Sequence, residues 1–211
     1  MQSTTHPPPL RWQSEQKNIM SRIAQVRYEE ASPEIQAEYQ KVIEEHGSVS
    51  NMKATLLHSP VALRAVLEWY KLYDLVKPVL GNRRTILFCD AISRENACTL
   101  CATFMRRAIV DGGENPEHLE LDGQDRIVVA FGRQLAADPN RISDELFAEL
   151  QGFLTPTQIV ELTVFGALMI VNNVFNSALQ VDLDEVLNNY QIQPEVAFAG
   201  SSRFLGKEEA L

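Results

Sequence analysis

One stretch constrains this chain more than any other. Thr155-Pro156-Thr157-Gln158 is followed by a run from Ile159 to Leu179 that is apolar on almost all sides. Thr at the N-cap, Pro at the first helical position and Gln at the third satisfy the exposed N–H groups of a helix start. A helix so opened and so apolar has to be buried among other elements, so it is expected to be the central helix of the fold. Its apolar coverage exceeds what one small bundle needs and also predicts a subunit interface. Glu161, Asn172, Asn173 and Asn176 interrupt the run. Buried polar groups must be hydrogen-bonded, and a structural role is favoured for these four over the lining of a pocket.

The rest of the punctuation is also helical. Ser32-Pro33 and Ser59-Pro60 repeat the start signal, and Gly47 and Gly112-Gly113 mark stops. Ile35, Tyr39, Val42 and Ile43 form one stripe at helical spacing; Leu63, Val66, Leu67, Tyr70 and Tyr73 form another. Further helices are expected from Asn82 towards Ser93, from about Asp122 to Ala137, from Ser143, and briefly before Tyr190. The nearest candidate for a strand, Arg22 to Tyr28, is short. The fold class is therefore all-α. Residues 1–19, polar and carrying Pro7-Pro8-Pro9, read as a mobile tail. Residues 20–200 read as one helical domain and 201–211 as a C-terminal tail.

At 211 residues and 45% hydrophobic, the chain is long enough to bury one core without metals or staples. Its net charge of −9 argues against nucleic acid and anionic membranes as partners. No uninterrupted apolar run reaches the roughly 18 residues a membrane span needs. No basic-then-apolar leader opens the sequence, so a cytoplasmic protein is expected.

Chemistry concentrates in Cys98-Thr99-Leu100-Cys101, expected in the first turn of a helix. Thiols at i and i+3 share a helix face, and the unpaired N–H groups there stabilise a thiolate. In a reducing compartment such a pair is catalytic or metal-binding. The four histidines, His6, His46, His58 and His118, stand at no ligand spacing from it, so neither a metal nor a cofactor is expected. Glu95, three residues before Cys98, is a candidate to take a thiol proton. Asp90 is a weaker one. Cys89 reads as a core residue, Arg106 and Arg107 as ion-pair partners, and His118 as a loop residue.

These residues resemble the alkylhydroperoxidase D / carboxymuconolactone decarboxylase family. The likeness rests on Cys98-x-x-Cys101, the stop at Gly112-Gly113, and Thr155 to Thr163 leading into Asn172–Asn176, and it spans roughly Ser32 to Tyr190. It implies an all-helical fold, assembly as a dimer, trimer or hexamer, and reduction of hydroperoxides through two thiols reset by an external thiol or disulfide reductant. Redox members carry a histidine where this chain has Met105, and a glutamate in the neighbourhood that here reads Thr85-Ile86-Leu87. Helix position favours Cys98 as the low-pKa thiol, whereas the resemblance puts the peroxide-reactive role on Cys101. The expected function is thus a thiol oxidoreductase with peroxidase-like chemistry. The alternatives are a non-enzymatic or redox-sensing oligomer of the same fold, and a decarboxylase-like lyase using Asp90, Glu95 or Arg84.

Overall fold

The computed structural model describes residues 21–191; both expected tails lie outside the described residues. Its helices are α1 (Pro33–His46), α2 (Asn51–Leu56), α3 (Pro60–Leu80), α4 (Asn82–Glu95), α5 (Thr99–Asp111), α6 (Gly123–Ala137), α7 (Asp144–Gln151) and α8 (Pro156–Leu179). Short 3-10 turns occupy Tyr28–Glu30, Pro139–Arg141 and Glu185–Tyr190, and no strand occurs among the described residues. The Arg22–Tyr28 stretch makes isolated bonds to helix ends instead, from the Arg22 N–H to the Leu179 carbonyl (2.9 Å) and from the Val26 N–H to the Ala54 carbonyl (3.1 Å).

Local chemistry sets most helix starts. The Ser32, Ser59 and Ser143 hydroxyls accept from the N–H groups of Ile35, Ala62 and Leu146. Thr155 and Gln158 form the reciprocal capping box that the sequence predicts. The short α2 lies in a stretch for which the sequence predicts no helix. Ser50 caps it through the Lys53 N–H.

The core is built around three rings. Phe88 of α4 stacks on Phe131 of α6 and on Phe165 of α8, with ring centroids 6.2 and 6.1 Å apart. The approach is close because Gly132 and Gly166 face Phe88; a Cβ at either would meet its ring within 3 Å. Trp69 of α3 then covers Phe165, at a centroid separation of 4.9 Å.

The placement of α8 differs from the expectation of a wholly buried helix. Ile159, Leu162, Phe165, Met169, Asn172 and Asn176 point inwards, while Val160, Val164, Val171 and Val174 remain exposed. A helix packed on one side by α3, α4, α5 and α6 has an opposite face that the described residues leave uncovered. Among the described residues α8 alone has the length and apolarity to cross a membrane; its inner face makes it a core helix here.

Candidate active site

The link between α4 and α5 aims the thiols. Ala97 adopts a left-handed conformation (φ 52°). Its N–H donates to the Arg94 carbonyl and that of Cys98 to the Ser93 carbonyl, each at 3.0 Å, which is a Schellman closure of α4. Glycine usually takes this place, and alanine there carries a backbone strain of about 1 kcal/mol or more. The turn makes Cys98 the N-cap of α5 rather than a residue of its first turn. Its sulfur accepts from the Cys101 N–H at 3.5 Å.

Both thiols are buried, Cys98 1% and Cys101 5% exposed. The Cys98 thiol is held below its ordinary pKa chiefly by a hydrogen bond from the Cys101 side chain, which outweighs burial; backbone amides and the Ser177 side chain add to it. The Cys101 thiol is pushed well up, because it gives that hydrogen bond and is buried; Asn176, donating to its sulfur at 3.3 Å, pulls the other way. The hydrogen bond runs from the Cys101 thiol to the Cys98 sulfur, so Cys98 is the more readily ionised of the two. Helix-start amides, the cause its sequence position suggests, contribute less than the Cys101 side chain.

Cys101 forms part of the wall of a cavity of about 560 Å³; Cys98 does not. Trp69, Tyr70 and Tyr73 of α3, Phe104 of α5, and Met52, Met105 and Met169 make the walls largely apolar. The two departures from the redox pattern, Met105 and the Thr85-Ile86 pair, both border this space. Thr85 turns its hydroxyl to the Gly81 carbonyl at 2.9 Å. The residues that would carry a histidine and an acid therefore leave the cavity apolar instead. Polar groups enter from elsewhere: Asn172 and Asn176 of α8, and Asp184 from the loop after it.

Glu95 is the last residue of α4, 2% exposed, and does not line the cavity. Asp90 is buried against Arg94, with Nε 2.7 Å from its carboxylate. Arg84 binds Asp122 and Asp125. None of the three acid–base groups considered for a lyase reaches the cavity. Cys89 is a core residue, but it also forms cavity wall, and burial drives its thiol pKa far up. Arg106 and Arg107 pair with Glu117 and Asp111. Among the described residues no group of three His, Cys, Asp or Glu side chains comes together in a metal-ligand set.

Asn172 and Asn176 correct the structural reading favoured for them, since both form cavity wall. Glu161 and Asn173 lie elsewhere on α8. Sequence reasoning also missed the aromatic wall, whose residues look like an ordinary core stripe, and Asp184, which carries no motif.

This architecture has known counterparts. The chain has the alkylhydroperoxidase D-like all-helical fold, with a Cys-x-x-Cys pair at the head of one helix. It is similar to the alkylhydroperoxidase AhpD core structure of an uncharacterized peroxidase-related protein from Ralstonia eutropha JMP134, with a TM-score of 0.61, 16% identity, and 79% of this chain and 94% of that one covered. A second peroxidase-related protein, from Silicibacter sp. TM1040, matches with a TM-score of 0.62 at 17% identity over 74% and 90% of the chains. The debrominase Bmp8 matches with a TM-score of 0.65 at 15% identity over 80% and 95%. A further structure of that enzyme is a cysteine-to-alanine variant in complex with 2,3,4-tribromopyrrole. No protein-family model matches the chain, and no curated protein matches it in sequence.

Proposed function

We propose that the protein is a thiol–disulfide oxidoreductase that reduces organic hydroperoxides through Cys98 and Cys101. The observation carrying this reading is geometric: Cys98 and Cys101 are hydrogen-bonded to each other, and Cys101 borders the cavity while Cys98 lies behind it. With Cys98 ionised, the Cys101 sulfur attacks the terminal peroxide oxygen as its own proton passes to Cys98. The O–O bond breaks, leaving a sulfenic acid on Cys101 and an alkoxide that leaves as the alcohol after protonation. Cys98 then attacks the sulfenic sulfur; the proton it took from Cys101 leaves with the displaced hydroxide as water, and the disulfide forms. Two thiols lose two electrons and the hydroperoxide gains them. Hydrogen peroxide would occupy a small part of a 560 Å³ space with aromatic walls, so the cavity suits an alkyl or aryl hydroperoxide better.

We place the protein in the reducing cytoplasm, where an external thiol or disulfide reductant resets the pair. We also propose a homo-oligomer, in which the exposed valines of α8 are covered by a second copy. Non-reducing mass mapping after mild peroxide treatment tests the redox reading. It should find a 98–101 bond that is lost in Cys98→Ser and Cys101→Ser and retained in Cys89→Ser, with turnover when a dithiol is supplied. Free Cys98 and Cys101 in fully folded, peroxide-treated protein would instead favour a non-enzymatic binding protein of this fold.

The aromatic walls favour a second reading, reductive removal of halogen from a halogenated aromatic. The two thiols supply two electrons and two protons, the carbon–halogen bond is replaced by carbon–hydrogen, hydrogen halide is released and the disulfide forms. Halide release from 2,3,4-tribromopyrrole, dependent on both cysteines, tests it.

A further inference from the structure

Resting on the peroxidase reading, we propose that Asp184 is the proton donor of the cavity, delivering a proton to the alkoxide released when Cys101 cleaves a bound hydroperoxide. An alkoxide is a poor leaving group in an apolar space, and Met105 and Thr85 offer it no acid. Two carboxylates line the cavity, Asp111 and Asp184. Asp111 is exposed and has both oxygens engaged: the Tyr190 hydroxyl donates to one at 3.0 Å and the Arg107 guanidinium to the other at 3.3 Å. Asp184 is half-buried. Its Oδ1 accepts from the Asn51 N–H at 2.8 Å, and its Oδ2 is buried with no hydrogen-bond partner among the described residues.

The Asn51 bond holds the carboxyl on the wall that contains Met52. The Met52 sulfur and the Cys101 sulfur are both 3.3 Å from the Asn176 carboxamide nitrogen, so this wall adjoins the reacting thiol. Burial favours the protonated carboxyl, the form a donor needs. The Asn51 N–H and, less strongly, the Lys53 ammonium of α2 oppose this and favour the carboxylate once the proton has left. The atoms balance: Asp184 gives its proton to the alkoxide, the alcohol departs, and the carboxylate recovers a proton from water before the next turn.

Asp184→Asn is the informative variant, because it keeps Oδ1 on the Asn51 N–H and replaces the unpartnered oxygen with a group that cannot serve as an acid. The experiment compares oxidation of the thiol pair by tert-butyl hydroperoxide, which releases a strongly basic alkoxide, and by a peroxycarboxylic acid, which releases a stable carboxylate. General acid help is worth about 10²–10⁴-fold. The variant should therefore lose roughly 100-fold with tert-butyl hydroperoxide and less than about threefold with the peroxy acid. Asp184→Glu should recover part of the loss. An equal loss with both oxidants, or no loss with either, overturns the role of Asp184 and leaves the peroxidase reading standing. Wild-type protein whose thiols resist tert-butyl hydroperoxide altogether overturns both.

Discussion

The Asn176 carboxamide nitrogen donates to the Cys101 sulfur at 3.3 Å, joining residues 75 positions apart in sequence. A donor aimed at sulfur stabilises the thiolate more than the thiol. A hydrogen bond to a charged group is worth about 1.5–3 kcal/mol. Asn176→Leu should push the Cys101 thiol still higher and slow its oxidation about tenfold or more. Alkylation rate against pH reads this directly, and a profile that does not move shows that the contact leaves the thiol untuned.

Met105 lies four residues after Cys101 and borders the cavity, where a histidine would act as a proton carrier. Met105→His should speed thiol oxidation by alkyl hydroperoxides. The gain should be about tenfold, below the usual 10²–10⁴-fold of a full acid–base group, because Thr85 and Ile86 offer it no acid to hand the proton on. Stopped-flow thiol loss is the measurement. A slower variant, with the fold intact, would mean the apolar wall matters more than the proton.

The helices were legible because their signals are local. Ser32, Ser59, Ser143 and Thr155 each cap a helix through an N–H two or three residues into it, which short-range sequence encodes. The Cys-x-x-Cys spacing was legible for the same reason, whereas the Cys101 hydrogen bond that chiefly lowers Cys98 was not. The cavity was not, because α2, α3, α4, α5 and α8 build it together, and the side chains concerned lie far apart in sequence. Trp69 and Tyr73 obey the same helical spacing whether they face a solid core or an empty space. Asn172 and Asn176 looked structural because the sequence cannot distinguish an interface from a pocket. Ala97 hides the turn that places Cys98, since the left-handed residue is not a glycine.

The two sides of α8 should respond differently to charge. Phe165 is 0% exposed and Val164, its neighbour, is 45% exposed. Burying an unpaired carboxylate costs several kcal/mol, so Phe165→Asp should unfold the chain, with loss of helical circular dichroism. Val164→Asp should keep the helical spectrum and dissociate the proposed oligomer. Light scattering decides the matter: wild-type protein that is monomeric at micromolar concentration removes the proposed interface.

Lys53 supplies a pH-dependent test of the cavity end. The side chain is buried, 5% exposed, with its ammonium 5.0 Å from the Tyr70 ring centre, and makes no ion pair within 4.0 Å among the described residues. Burial lowers its pKa from 10.5 to about 8, while Asp184 acts in the opposite direction. Between these values the unfolded chain holds a proton that the folded one has released. Stability therefore rises with pH across that window and carries the full cost of the buried charge below about pH 8. Lys53→Met removes the charge at nearly constant volume. At pH 7 the variant should melt higher than the wild type, and the gap should narrow as pH climbs from 8 towards 10.5. Taking the difference between the two proteins cancels the other groups that titrate there. Equal melting temperatures at pH 7, or a gap that does not change with pH, would show that Lys53 is solvated in the folded protein.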